Sequence, residues 1–78
     1  MYTLYIIRCK DNSLYTGIAK DLEKRLAVHR NSKGSAYVRA RLPFSLVYTE
    51  KHPDRSSATK REMEIKKMSR TKKEKLIT

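Results

Sequence analysis

Of the side chains in this 78-residue chain whose types suit proton and anion chemistry, six stand at telling positions: Tyr5, Tyr15, Arg25, His29, Glu62 and Glu64. Phenols and imidazoles pass protons, a guanidinium forks onto oxyanions, and a carboxylate holds a hard cation. Arg25 and His29 stand four apart, so on a helix they emerge on one face a turn apart. They could equally be an Arg25–Asp21 pair and a polar histidine near the helix C-terminus. Glu62 lies about 70° from the centre of the face formed by Ala58, Ile65 and Met68, and so borders the buried side of its helix. Glu64 borders the same face from the other side, and either carboxylate could instead pair with a neighbouring lysine, so composition does not choose between them. Tyr5 and Tyr15 share a sheet face if the register between their strands matches in parity. A three-residue loop, Asp11 to Ser13, achieves this by pairing Cys9 with Tyr15, whereas a two-residue loop without a bulge separates them. Tyrosines on a pleated, half-buried surface also serve simply as core.

The elements that must position these residues follow from the pattern around them. Tyr2 to Cys9 is rich in β-branched and aromatic types and runs into Asp11-Asn12-Ser13, which predicts a strand and a turn. Leu14 to Ile18 resumes the composition and closes an antiparallel hairpin, with Gly17 allowing a bend or a close approach. Asp21 offers an N-cap for a helix carrying Leu22 and Leu26 and ending near His29 to Asn31. Arg30 to Arg41 has four basic residues besides Gly34 and no acid, which predicts a mobile cationic loop. Phe44 to Glu50 alternates as a third strand, and His52 to Ser56 breaks it. Asp54 or Ser56 caps a second helix with Ala58, Ile65 and Met68 on one face, and Ser69 caps a short last helix whose Leu76 and Ile77 return to the core. The expected fold class is α+β: a small three-stranded antiparallel sheet with helices packed on its other side, in the order ββαβαα, as one domain over residues 1–78.

Charge narrows the partners. Lys and Arg number 19 against 8 Asp and Glu, a formal +11 with pI near 10.1. The excess is distributed, +6 over residues 1–41 and +5 over 42–78. So much like charge on a small fold points to a polyanion. A membrane surface recruits basic helices with a continuous apolar face, and no helix here carries one. No run approaches ~20 apolar residues, so a cytoplasmic protein is expected. The single Cys9 forms no internal disulfide, and no Cys or His pair has zinc-ligand spacing. Nothing encodes base readout, so binding to nucleic acid should be weak, sequence-independent and salt-sensitive.

Taken together, the positions resemble the GIY-YIG nuclease family, whose two short tripeptides sit on the first two strands. Thr3-Leu4-Tyr5 occupies the first and Tyr15-Thr16-Gly17 the second. Arg25 falls at the family's arginine position with His29 four later, and Glu62, ahead of Ile65 and Lys67, resembles its metal-binding glutamate. The similarity spans nearly the whole chain and is closest to small stand-alone bacterial members. Thr3 and Leu4 depart from the Gly and Ile of the name, at scaffold positions, and the late asparagine of some members has no counterpart.

The resemblance implies metal-dependent hydrolysis of DNA by a monomer with no small-molecule cofactor. Tyr15 would be general base or water positioner, with His29 and Tyr5 holding its hydrogen bonds, while Arg25 forks onto the phosphate. Glu62 would hold one divalent ion, Mg²⁺ or a substitute such as Mn²⁺. A free phenol titrates near ~10, so a tyrosine base at neutral pH needs a cation or metal-linked water beside it. Arg30, Lys33, Arg39 and Arg41 of the loop, and Lys66 and Lys67 with the basic tail, are expected to contact nucleic-acid phosphates. A working site requires Tyr5, Tyr15, Arg25, His29 and Glu62 to converge on one concave, cationic face. Glu62 across the sheet from both tyrosines would instead favour a non-catalytic nucleic-acid binding module, the alternative to the nuclease reading.

Overall fold

A strand with an unbroken apolar run needs cover on both faces, and β1, through Leu4 to Ile7, is that strand. In the computed structural model, which describes residues 1–31 and 36–78, β1 (Tyr2–Cys9) lies between β2 (Leu14–Ala19) and β3 (Phe44–His52) in an antiparallel sheet of order β2-β1-β3. Leu4 and Ile6 point to one side and Tyr5 and Ile7 to the other, all four essentially fully buried. Helix α1 (Leu22–Arg30) and the one-turn α2 (Ala36–Arg39) cover the Tyr5 side through Leu26 and Val38. Helices α3 (Arg55–Lys66) and α4 (Arg70–Ile77) cover the Leu4 side through Ile65, Leu76 and Ile77, joined by Met68. The order ββαβαα therefore holds with α2 added, and two expectations are corrected. The helices do not share one side of the sheet, because β1 has no polar face to leave open. The stretch from Arg30 to Arg41 is not loop throughout, because Val38 is driven into the core and takes a helical turn with it.

The caps fall where the sequence placed them. Asp21 accepts from the Lys24 N–H at 3.2 Å, Asp54 from the Ser57 N–H at 2.8 Å, and Ser69 Oγ from the Lys72 N–H at 3.3 Å. The hairpin differs. Cys9 and Ser13 close it, with the Cys9 N–H donating to the Ser13 carbonyl at 2.9 Å, so the loop is Lys10 to Asn12. Asn12 takes the left-handed conformation this turn needs (φ 71°), and the Asp11 carboxylate accepts from the Ser13 N–H at 3.1 Å. Tyr15 consequently faces Ile7 instead of Cys9. The slip is two residues, which preserves parity, and Tyr5 and Tyr15 do share a face.

Two ion-pair groups fasten helices to the sheet. Arg8 forks onto Glu74 of α4 at 2.6 and 2.9 Å, and Arg70 adds a bond to the same carboxylate at 3.0 Å. The forked Arg8 bond holds Glu74 down at about 2. On β3, Glu50 accepts from Arg61 of α3 at 3.1 Å, from the Tyr48 hydroxyl, and is hydrogen-bonded to His52 at 3.0 Å. Burial works against ionising Glu50, but these partners together bring its carboxyl below the usual range. That pair fixes α3, and hence Glu62, against the sheet.

Candidate active site

The site is built around Tyr5. Its cross-strand partner is Gly17, and the Tyr5 ring lies directly over it: a Cβ at Gly17 would come within 2.6 Å of the phenol oxygen. The glycine is required by this approach, not by its own backbone angles. Gly17→Ala is expected to lower stability by ~1–3 kcal/mol, as overpacking does, and to move the Tyr5 hydroxyl out of the site. Denaturant melts and the loss of the Tyr5–His29 hydrogen bond in NMR spectra would check this.

His29, on the last turn of α1, is 1% exposed, and its Nε2 is hydrogen-bonded to the Tyr5 hydroxyl at 3.1 Å. Burial, reinforced by the nearby Arg25 charge, pushes its pKa below the ordinary value and keeps the imidazole neutral. Its ring meets Phe44 and Tyr15 edge-on, with centroids 6.2 and 5.8 Å away, and Nδ1 has no hydrogen-bond partner among the described residues. Burial also raises Tyr5, more than the adjacent Arg25 lowers it, so this phenol stays protonated. Tyr15 is half-buried, its ring centroid 6.5 Å from that of Tyr5. Arg25 reaches in from exposed α1 and lies beside both hydroxyls, which strengthen its hold on its proton, Tyr5 foremost. The expected arrangement is thus corrected in one respect. The hydrogen bond of His29 goes to Tyr5, while Tyr15 is held by ring contacts and the guanidinium.

Glu62 requires a second correction. Its helix α3 packs on the Leu4 and Ile6 face, so the five residues do not open on one face; four do, and Glu62 comes from the other side. What matters chemically is the position of the carboxylate. The sheet ends at β2, Tyr5 lies over Gly17 on that edge strand, and the charge of Glu62 is felt at the Tyr5 hydroxyl, helping to raise its pKa. By the placement of its helix Glu62 thus meets the condition that favours a binding module, while its charge still acts on the Tyr5 hydroxyl. Its side chain is 20% exposed, and Lys66 lies 3.6 Å away one turn on. Glu64 turns toward Arg61, at 3.7 Å, and is largely exposed, which separates the two glutamates that the sequence left equivalent.

Among the described residues no group of three or more His, Cys, Asp or Glu side chains could form a metal cage. A lone carboxylate fits instead a hard cation that keeps most of its waters and takes its remaining ligands from a phosphate.

The expected phosphate contacts are placed unevenly. Arg39 and Lys67 are exposed, Lys66 stands beside Glu62, and Lys33 lies outside the described residues. Arg30 lies over the Phe44 ring at 5.3 Å. Arg41 is engaged by Asp11 at 3.0 Å and lies over the Tyr37 ring at 3.9 Å. Sequence reasoning passed over Lys20 and Lys24. With Asp21, Arg25, Ile18, Ala19 and Val28 they line a groove of about 480 Å³ at the start of α1. Their only signal in the sequence was closeness to Arg25, which any lysine of that helix shares. No helix among the described residues is long and apolar enough to cross a membrane.

Residues 1–75 match the family model described as the GIY-YIG catalytic domain. The chain is 55% identical over 75 residues to a UPF0213 protein of Staphylococcus saprophyticus, covering 96% of this chain and 92% of that protein. It is 45% identical to a UPF0213 protein of Natronomonas pharaonis over 74 residues, covering 95% of this chain and 87% of that protein. The solution structure of a UPF0213 protein from Bacillus halodurans superposes with TM-score 0.64 at 44% identity, covering 99% of this chain and 83% of that one.

Proposed function

The chain belongs to the GIY-YIG catalytic domain family, and from that premise we propose that it hydrolyses DNA phosphodiester bonds with the help of a divalent cation. The observation that carries this reading is Arg25 beside two tyrosine hydroxyls, one of them bonded to a neutral histidine, with the Glu62 charge acting on the same cluster.

Tyr15 is the half-buried phenol of the pair and Tyr5 the buried one, which supports Tyr15 as the group that orients an attacking water and takes its proton. Arg25 forks onto the non-bridging oxygens and stabilises the charge that grows there in the transition state. Tyr5, protonated and joined to neutral His29, holds the guanidinium and the second ring in place. A divalent ion at Glu62 would supply charge neutralisation on the phosphorane and the departing oxygen. Lys66, now 3.6 Å from Glu62, would be released to a substrate phosphate once the carboxylate has another partner.

The test is metal removal. Supercoiled DNA incubated with the protein and Mg²⁺ should be nicked, nicking should stop in EDTA, and binding should persist in EDTA. Affinity should fall with salt, by a slope of roughly 0.9 per phosphate contact, and to the same degree on unrelated sequences. Salt-sensitive binding without cleavage in Mg²⁺ or Mn²⁺ would leave a nucleic-acid binding module on this fold.

A further inference from the structure

Tyr15 stands on an edge strand, and the exposed side of its ring needs a wall if its hydroxyl is to stay beside Arg25. We infer that Tyr37 is that wall, a positioning residue for Tyr15 held in place by Arg41; this rests on the role proposed for Tyr15. The two rings stack, with centroids 5.8 Å apart and planes 30° from parallel. The Arg41 guanidinium carbon lies 3.9 Å from the Tyr37 centroid, and Arg41 also donates to the Tyr37 carbonyl at 3.1 Å. Its Nε donates to Asp11 at 3.0 Å, and Asp11 sits in the hairpin turn that leads into Tyr15's own strand. The fully buried Val38 anchors α2 beneath. A closed loop of contacts results: turn, Arg41, Tyr37, Tyr15, and along β2 back to the turn. Tyr15 is then clamped between Tyr37 outside and the Tyr5 and His29 rings inside.

This gives Arg41 a different task from the phosphate contact expected of a basic loop. A guanidinium stacked on one ring and bonded to a carboxylate is committed within the protein. The one-turn helix α2 becomes part of the site although none of its side chains need touch DNA.

The experiment uses the full chain and two readouts. In the free protein, NOEs between the Tyr15 and His29 rings should weaken or vanish in Tyr37→Leu and persist in Tyr37→Phe, because the ring and not the hydroxyl does the clamping. In cleavage assays Tyr37→Leu should lower kcat by ~10- to 100-fold, as a displacement of about 1 Å at a reacting group does, with KM for DNA within about twofold, and Tyr37→Phe should restore it. Arg41→Gln should move both readouts in the same direction as Tyr37→Leu, and it carries the test if the leucine variant does not fold. Unchanged Tyr15–His29 NOEs in both variants would overturn the proposal. So would an Arg41→Gln effect confined to KM and the salt slope, which is what a phosphate contact gives. If the wild type cleaves nothing, the catalytic role of Tyr15 fails on its own, while the NOEs still decide whether Tyr37 and Arg41 hold its ring.

Discussion

Glu62→Gln is expected to reduce Mg²⁺-dependent cleavage by ~10³-fold or more while leaving DNA affinity within about twofold. A metal ion contributes several kcal/mol of charge stabilisation in the transition state, and each ~1.4 kcal/mol is a factor of ten in rate. Glutamine keeps the shape of the side chain but surrenders the charge that attracts the cation. Among the described residues no group of three or more His, Cys, Asp or Glu side chains offers the cation another cage. Binding should survive, since it rests on the +11 of the surface, which the substitution makes one unit more positive. Glu64→Gln is the matched control: that carboxylate faces Arg61 and should leave the rate unchanged. Equal losses in the two variants would mean that helix α3, not the carboxylate, had been disturbed.

Arg25→Ala should lower kcat by ~10²- to 10³-fold, the range found when a single preorganised donor is removed from developing negative charge. Arg25→Lys should recover little of this, because a compact ammonium cannot fork onto two oxygens while keeping contact with two phenols. Arg25→Ala also has a signature independent of activity. The Arg25 charge is one of the two causes holding the His29 pKa down, the larger being burial. Without that cation the His29 titration should move upward, but not fully to the ordinary ~6.5. The sign carries over to stability. A histidine depressed in the folded state loses stability as pH falls below its unfolded pKa, so Arg25→Ala should make acid unfolding less steep in that window. NMR titration of the His29 ring and melts between neutral and mildly acidic pH would measure both effects.

The sequence made the scaffold readable because local rules agreed with tertiary needs. Asp21, Asp54 and Ser69 cap the helices they precede, and Ala58, Ile65 and Met68 mark one face that does meet the sheet. The hairpin register came out two residues off because the turn closes on Cys9 and Ser13, with Asn12 in the left-handed position, a choice the run Lys10 to Ser13 leaves open. The placement of helices on both sides was written in the unbroken apolar run Leu4 to Ile7, which leaves no face for solvent. Reading the segment from Arg30 to Arg41 by its charge obscured Val38, a single buried residue that organises α2. Helical spacing put Arg25 and His29 together and parity put Tyr5 with Tyr15. Neither could bring in Glu62, whose approach depends on how α3 packs on the Leu4 face of the sheet, a tertiary fact set partly by the Arg61–Glu50 pair. Tyr37 and Arg41 were invisible as partners of Tyr15 for the same reason: stacking between an edge strand and a one-turn helix has no periodicity.

If Glu62 brings a cation to the tyrosine cluster, as proposed, paramagnetic broadening by Mn²⁺ measures it without a substrate. In spectra of the labelled protein, substoichiometric Mn²⁺ should broaden resonances of Glu62, Gly17 and the Tyr5 ring first, and Glu62→Gln should abolish that pattern. Broadening centred instead on Glu74, Asp54 or Asp11, or unchanged in Glu62→Gln, would contradict the account.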